Sequence, residues 1–263
     1  MSPTGMLGLI SDTGDPGPAT LAAPDGGRVL VVIPTFNEAE NIPLLVPQVL
    51  AQGADVDVLI VDDGSPDGTG KIADDLAATF QPRVRVVHRS SKSGRGGAVM
   101  EGFRAGLPDA RYSRFAEMDA DLSHQPDELP ALLAASSGAD MVVGSRYIPG
   151  GRIEGWSSRR RVWSRSSNRI IHAVLGVPMT DFTNGYRVYS RRAVELLAAA
   201  TLRETGYITL SEWAFAIHRA GLPIREVPTV FINRRFGKSN MTASEAIGAI
   251  RALVRMRGGR RRR

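Results

Sequence analysis

What most constrains this chain is the regular exchange of short apolar runs with helical stretches over residues 28–145. Val29-Leu30-Val31-Val32-Ile33 is continuously apolar, the pattern of a strand buried on both faces of a parallel sheet. Further strands read at 56–61, 84–87, 114–118 and 139–143, with helices at 41–52, 71–80, 94–107 and 126–135 between them. Such alternation predicts an α/β fold: an open, mainly parallel, Rossmann-like sheet with helices on both faces. In these sheets ligands bind beyond the carboxyl ends of the strands. Four polar turns sit at those ends: Pro34–Glu38, Asp62–Asp63, Asp119–Asp121 and Gly144–Arg146.

The third of these turns carries Asp119 and Asp121 with one residue between them. Residues i and i+2 of an extended segment point to the same side, so both carboxylates can meet at one point past the strand end. Two hard oxygen ligands suit Mg²⁺ or Mn²⁺. Taken alone, the pair reads more readily as a turn or a helix cap, as most such pairs are. The other three strand ends favour the site.

Beyond the break at Gly150-Gly151 the chain changes character. Within 156–176, Val162, Ile170, Ile171, Val174 and Leu175 recur at helical spacing, interleaved with Arg161, Arg165, Asn168 and Arg169 and accompanied by Trp156 and Trp163. A basic helix of this kind lies at a membrane interface or packs an apolar face on the core; both readings stand. Helices follow at 191–200 and 206–220, and short strands at 224–227 and 229–232. The last helix, 243–256, shows Ile247, Ile250, Leu253 and Val254 on one stripe. Residues 251–263 hold seven arginines and no acid, and 152–169 hold six arginines against Glu154. With a net charge of +6 for the whole chain, the rest is net acidic. The basicity therefore lies in two patches, which points to an anionic partner. The terminal patch lacks the interleaved aromatics of a base-stacking surface, so nucleic acid is not the expected partner. Residues 1–27 read as a mobile tail. There is no cysteine, so no disulfide framework and no thiolate metal site. No apolar run approaches the roughly 20 residues of a membrane span, and no signal-peptide pattern opens the chain. The expectation is a peripheral protein on the cytoplasmic face.

The ordered motifs resemble one family, the polyprenol- and dolichol-phosphate mannosyltransferases. These are inverting enzymes of glycosyltransferase family 2 with the GT-A fold. Pro34-Thr35-Phe36-Asn37-Glu38 is similar to its Pro-Thr-Tyr-Asn-Glu motif. Val61 to Thr69 matches its nucleotide loop. Arg89, Lys92, Gly94 and Gly96 follow its Arg-x-x-Lys-x-Gly-Leu-Gly spacing, with Arg95 in the place of leucine. Asp119 to His124, Gly144 to Tyr147, and Asp181, Thr183, Gly185, Tyr186 and Arg187 match further motifs, with Glu212 on its helix. Arg234, Gly237 and Ser239 resemble the late motif, with Asn240 where lysine is usual. The resemblance spans about residues 28–245, leaving 246–263 as the end of the terminal helix and its basic tail.

This resemblance implies GDP-mannose as donor and a polyprenyl monophosphate as acceptor, with Mg²⁺ or Mn²⁺ as cofactor. It places Pro34, Phe36, Glu38, Val61 and Asp63 at the guanosine, and Asp119, Ala120 and Asp121 at the ribose, diphosphate and metal. Ser123 falls at the position of a further metal ligand, and Lys92 and Lys238 beside the phosphates. Arg146, Arg160, Ser164 and Arg234 fall at the acceptor-phosphate positions. The catalytic set is then Asp119, Asp121, Arg146 and Arg234. A membrane surface and an integral-membrane partner protein complete the expected partners. Two rival readings remain: the same scaffold moving glucose or an aminosugar, and a non-catalytic nucleotide-sugar-binding subunit.

Overall fold

Strand β1 (Arg28–Thr35) lies at the centre of the fold because its side chains are covered from both faces. Leu30 and Val32 pack with Val99 and Phe103 on one side. Val29, Val31 and Ile33 pack with Ile42, Leu45, Val46 and Val49 on the other. Each such side chain contributes about 1.5–3 kcal/mol on burial. The computed structural model describes residues 23–90, 94–202, 208–233 and 252–258. Strands β2 (Val56–Asp62) and β4 (Tyr112–Glu117) flank β1 in parallel, and β3 (Val84–His88) runs parallel beside β2. Helices α1 (Ile42–Leu50), α2 (Thr69–Thr79), α3 (Arg95–Gly106) and α4 (Leu129–Ala135) connect them and lead to β5 (Met141–Ser145). With two later strands, β7 (Arg187–Ser190) and β8 (Ile224–Pro228), the expected open sheet forms, seven strands in the order β3-β2-β1-β4-β7-β5-β8.

Helix α3 lies close over the sheet because it presents glycine there. A Cβ on Gly102 would stand 2.5 Å from Val32 Cγ1, and one on Gly106 would stand 2.3 Å from Leu30 Cδ2. Both are below any ordinary contact, so the sheet fixes these residues as small.

Three features depart from the sequence reading. Strand β7 (Arg187–Ser190) runs antiparallel between β4 and β5, where only a polar turn ending at Arg187 was expected. It has four residues and only two are apolar, too few for periodicity to show; Val188 and Tyr189 supply one to each face. The two late strands separate. β8 (Ile224–Pro228) joins the main sheet beside β5, while β9 (Val230–Ile232) pairs with β6 (Arg152–Glu154) in a sheet of two. The basic helix, α5 (Ser158–Leu175), packs on the core and also keeps apolar residues on its exposed side. Ile171 and Leu175 enter the core with Val174 against it, while Val162, Trp163 and Ile170 stand outward and exposed. Its apolar residues therefore form two faces rather than one stripe.

Helices α6 (Arg191–Ala199) and α7 (Thr209–Arg219) complete the face that holds α3 and α5. The expected boundaries also shift at each end. Residues 23–27 are not a free tail: Ala23 is buried, and Asp25 meets Ser113 at 2.6 Å and Arg114 at 2.7 Å. At the other end 252–258 is helical, with Ala252 and Leu253 in the core, so the domain reaches past 245.

Candidate active site

The carboxyl ends of β1, β2, β4 and β5 meet along one edge, and the turns beyond them are tied together by side chains. Asp62, almost fully buried, accepts the Thr35 hydroxyl at 3.1 Å, the Ser65 N–H at 3.1 Å and the Ser65 hydroxyl at 2.5 Å. Ser65 Oγ in turn accepts the Asn37 N–H at 3.0 Å, and Thr69 Oγ1 accepts the Glu38 N–H at 2.9 Å. Gly64 and Gly68, at φ +72° and +91°, supply the left-handed positions this loop needs. Pro34, Phe36 and Glu38 line the β1 side, half-buried. Val61 and Asp63 are buried. Asp63 does not stand open toward a ligand: its carboxylate is ion-paired with Arg89, which also donates to Glu101 at 2.7 Å. Lys92 lies outside the described residues.

Strand β4 ends at Glu117, so Asp119 and Asp121 stand in the turn beyond it and not on an extended strand. Their side chains differ in exposure: 31 % of the Asp119 side chain is accessible, while Asp121 is buried, as is Ala120. Leu122 bends the turn with φ +60°, a conformation that costs a non-glycine residue about 1–2 kcal/mol. After that bend, the Ser123 N–H donates to Asp121 Oδ1 at 3.1 Å. The Ser123 hydroxyl is fully buried and has no hydrogen-bond partner among the described residues. Leaving a buried hydroxyl unmet costs on the order of 1–3 kcal/mol. Two carboxylates and an orphaned hydroxyl in one turn form an all-oxygen donor set, which fits a hard divalent cation. Arg95, at the start of α3, reaches the same turn. Its Nε donates to Asp119 Oδ1 at 2.5 Å, and its Nη1 to the buried Glu117 Oε2 at 2.6 Å.

One polar network runs from this turn to the second half of the site. The Asp119 N–H donates to His124 Nδ1 at 3.1 Å, leaving Nε2 to donate to Asn184 Oδ1 at 2.9 Å. Asn184 donates its side-chain N–H to Gly144 O at 2.5 Å and its backbone N–H to Asp181 Oδ1 at 3.2 Å. Asp181 receives the fork of Arg146, Nε to Oδ2 at 2.7 Å and Nη2 to Oδ1 at 2.8 Å. Both groups are buried. Burial alone would raise the Asp181 carboxyl, but the Arg146 charge outweighs it and holds it below the usual carboxylate range. Arg146 was expected to present its fork to an acceptor phosphate; the fork is instead occupied by Asp181. The reason is local: a guanidinium this deep needs a bidentate counter-ion.

Around Arg146 lies an aromatic enclosure of Tyr147, Trp156 and Phe231, each ring centroid 5.3–5.5 Å from the guanidinium carbon. Phe231 also meets the His124 ring at 5.8 Å, edge to face. Arg160 stacks over Trp156 at 3.8 Å. Ser164 is half-buried and accepts the Tyr147 hydroxyl at 2.6 Å. Beside them opens a cleft of about 300 Å³, lined by Arg146, Tyr147, Ile153, Ser158, Arg161, Val162 and Arg165. Among the described residues its walls hold three arginines, the Tyr147 and Ser158 side chains, apolar carbon and no carboxylate. The structure thus brings Arg146, Arg160 and Ser164 together. Arg234 and Lys238 lie outside the described residues.

Sequence reading missed Tyr147, Trp156 and Phe231 as one enclosure, and gave Asp181, Asn184 and His124 no roles. Asp181 and His124 stood in the sequence only as motif letters, and Asn184 fell at an unspecified position of the Asp181 motif. Arg187 is different again: it is fully buried, and its guanidinium donates to the carbonyls of Phe182, Asn184 and Leu210 at 2.7–2.9 Å, so it shapes the Asp181 loop.

Glucosyl-3-phosphoglycerate synthase from Mycobacterium tuberculosis, solved with Mn²⁺, UDP and phosphoglyceric acid, superposes with a TM-score of 0.63 at 21 % identity, over 90 % of this chain and 80 % of that one. The class defined by fold and site is the GT-A glycosyltransferase. More narrowly, the chain belongs to glycosyl transferase family 2, whose model matches residues 30–197. It is 45 % identical over 218 residues to the polyprenol monophosphomannose synthase of Mycolicibacterium smegmatis, covering 82 % of each protein. It is 43 % identical over 215 residues to the undecaprenyl-phosphate mannosyltransferase of Micrococcus luteus, over 82 % of this chain and 88 % of that protein.

Proposed function

We propose that this glycosyltransferase moves mannose from GDP-mannose to a polyprenyl monophosphate with inversion at the anomeric carbon, giving a β-mannosyl phosphate lipid for later mannosylation. The observation that carries this reading is the joining of an all-oxygen carboxylate turn, through His124, Asn184 and Asp181, to an arginine-walled cleft that has no carboxylate among the described residues. Transfer to a sugar hydroxyl calls for a base to take the proton. A lipid monophosphate is already an anion near neutral pH, by analogy with a phosphorylated side chain, and a cleft with cations and no base is what it requires.

On the donor side, Pro34, Phe36, Glu38 and Val61 hold the nucleoside, and Asp63 braces that pocket through Arg89. Asp119, Asp121 and Ser123 hold Mg²⁺ or Mn²⁺, and Lys92 and Lys238 add positive charge beside the diphosphate. A divalent cation bound there neutralises the charge that grows on GDP as it leaves. On the acceptor side, Arg160, Arg161 and Arg165, with Arg234, gather the phosphate; guanidinium forks suit it better than ammonium groups. Arg146 shares the cleft wall but, with its fork held by Asp181, adds field rather than a free fork. Ser164 orients Tyr147 at the cleft wall.

The outward face of α5 supplies the approach to the lipid. Val162, Trp163 and Ile170 are 65 %, 59 % and 57 % exposed, and Arg159, Arg161, Arg165 and Arg169 lie among them in sequence. Such a helix lies in the plane of a membrane interface. Among the described residues no helix is long and apolar enough to cross a membrane. We place the protein peripherally on the cytoplasmic face, assisted by an integral-membrane partner, since one basic signal gives only reversible binding. The test is direct. Incubation with radiolabelled GDP-mannose, Mg²⁺ or Mn²⁺ and a short polyprenyl phosphate should place label in the organic phase, as an acid-labile β-linked product. Transfer from UDP-glucose or a UDP-aminosugar in preference to GDP-mannose refutes the sugar assignment, and absence of transfer from every donor refutes the enzyme.

A further inference from the structure

Arg95 stands where a positive charge already occupies the carboxylate turn. Its guanidinium is only a quarter exposed; Nε meets Asp119 Oδ1 at 2.5 Å, Nη1 meets Glu117 Oε2 at 2.6 Å, and Nη2 meets the Gly185 carbonyl at 3.2 Å. Glu117 is fixed in turn: it is fully buried, and its second oxygen accepts the Tyr189 hydroxyl at 2.6 Å. Burial would lower the Arg95 guanidinium, but Asp119 and Glu117 outweigh it and push it up. An arginine stays charged under all working conditions.

We propose that Arg95 is a positioning residue that acts as the resident counter-cation of Asp119, which a divalent cation must displace or share, so that Arg95 sets how strongly this turn binds metal. The proposal rests on the reading of Asp119 and Asp121 as metal ligands. With Arg95 in place, one of the two carboxylates is already neutralised, and an arriving dication meets both a weaker attraction and a nearby like charge. The diphosphate of the donor restores the missing negative charge. Metal therefore binds weakly to the empty protein and well with the nucleotide.

Gly185 gives a clean way to test this. A Cβ there would stand 2.2 Å from Arg95 Nη2, the far end of a flexible side chain, so Gly185→Ala pushes the guanidinium off its seat without removing a charge from the protein. The paired change Arg95→Leu with Glu117→Gln removes the cation and its buried counter-ion together. The measurement is Mn²⁺ affinity by loss of the free-ion electron paramagnetic resonance signal, with and without GDP. Both variants should bind Mn²⁺ alone on the order of tenfold more tightly than the unaltered protein, the effect of losing a competing charge-assisted hydrogen bond. The gain in Mn²⁺ affinity on adding GDP should shrink in both. Unchanged or weaker Mn²⁺ binding in both variants overturns the proposal and leaves Arg95 as a support for the turn. Asp121→Ala separates the two readings. If it abolishes Mn²⁺ binding while the Arg95 variants behave as the unaltered protein, only the counter-cation idea fails. If it leaves Mn²⁺ binding intact, the metal turn itself is refuted.

Discussion

Replacing Arg146 by methionine should cost more in stability than in any single catalytic step. Asp181 is fully buried and Arg146 nearly so. Without the guanidinium, Asp181 keeps backbone N–H bonds from Arg146, Thr183 and Asn184 at 3.1–3.2 Å and a long bond from the Thr183 hydroxyl at 3.4 Å. Removing one partner of a buried pair costs about 3–5 kcal/mol, against a total stability of roughly 5–15 kcal/mol. At roughly 2–4 °C per kcal/mol for a chain of this size, Tm should fall by about 6–20 °C. The assay is a double-mutant cycle of Arg146→Met, Asp181→Asn and both, unfolded in urea and followed by tryptophan fluorescence, with Trp156 beside the pair at 5.5 Å. The double variant should be more stable than the summed single losses predict, by roughly 1–3 kcal/mol. The sign with pH is fixed as well. Asp181 titrates below its unfolded value, so its contribution is present above about pH 4 and is lost as pH falls through the lower folded value. Arg146→Met should flatten that acid limb. Additive losses within about 0.5 kcal/mol, or an unchanged acid limb, refute the buried pair.

Asp121→Ala should abolish transfer in the radiolabel assay while the far-ultraviolet circular dichroism stays unchanged; wild-type turnover that survives excess chelator refutes the metal assignment. Arg161→Glu with Arg165→Glu should raise KM for the lipid phosphate at least tenfold, since each lost charge-assisted bond is worth about 1.5–3 kcal/mol, with GDP affinity intact; a loss of GDP affinity instead puts these arginines on the donor side. Val162→Ser with Trp163→Ser should weaken sedimentation with anionic liposomes while a water-soluble short-chain acceptor is still used, and unchanged sedimentation removes α5 from the membrane interface. Tyr112, whose hydroxyl donates to Asp57 at 2.9 Å, is pushed up to about 12 by burial and by that carboxylate. Its contribution, about 2–3 kcal/mol for two units, is present below pH 10 and lost as pH rises to 12. Tyr112→Phe should remove that alkaline limb from a stability profile, and a profile identical to wild type refutes the shift.

The donor half was legible because its information is local. Five strands and the turns after them show as apolar runs followed by polar motifs, and the four ends do meet on one edge. What stayed hidden depends on contacts far apart in the chain. Asp181 and Arg146 are separated by 35 residues, and Arg95 and Glu117 by 22; no spacing rule links them. Arg146 illustrates the difficulty. An arginine in a polar turn reads as a ligand contact, and only its burial shows that a carboxylate of the same chain has taken the fork. The α5 helix fails for a different reason: one periodicity serves an inward and an outward apolar face, and hydropathy alone does not say which residue belongs to which. Arg234, Lys92 and Lys238 lie outside the described residues and rest on resemblance.

The place of β7 in the sheet has a consequence for how such an enzyme changes its recipient. The chain leaves β5 at Ser145, builds β6, α5 and the Asp181 loop, and returns at Arg187 to lie against the strand it left, Val143 beside Arg187 and Met141 beside Tyr189. The arm proposed to bind the recipient is thus a closed excursion with both feet on neighbouring strands, and nearly all of the residues proposed to hold the donor precede it in the chain. Exchanging 146–186 for the corresponding arm of another family member should swap recipients as a cassette while donor binding persists. One thread escapes the cassette: β6 pairs with β9 at Val230–Ile232, and Phe231 there closes over Arg146. A graft that leaves 230–232 behind carries the aromatic enclosure of Arg146 with one wall missing.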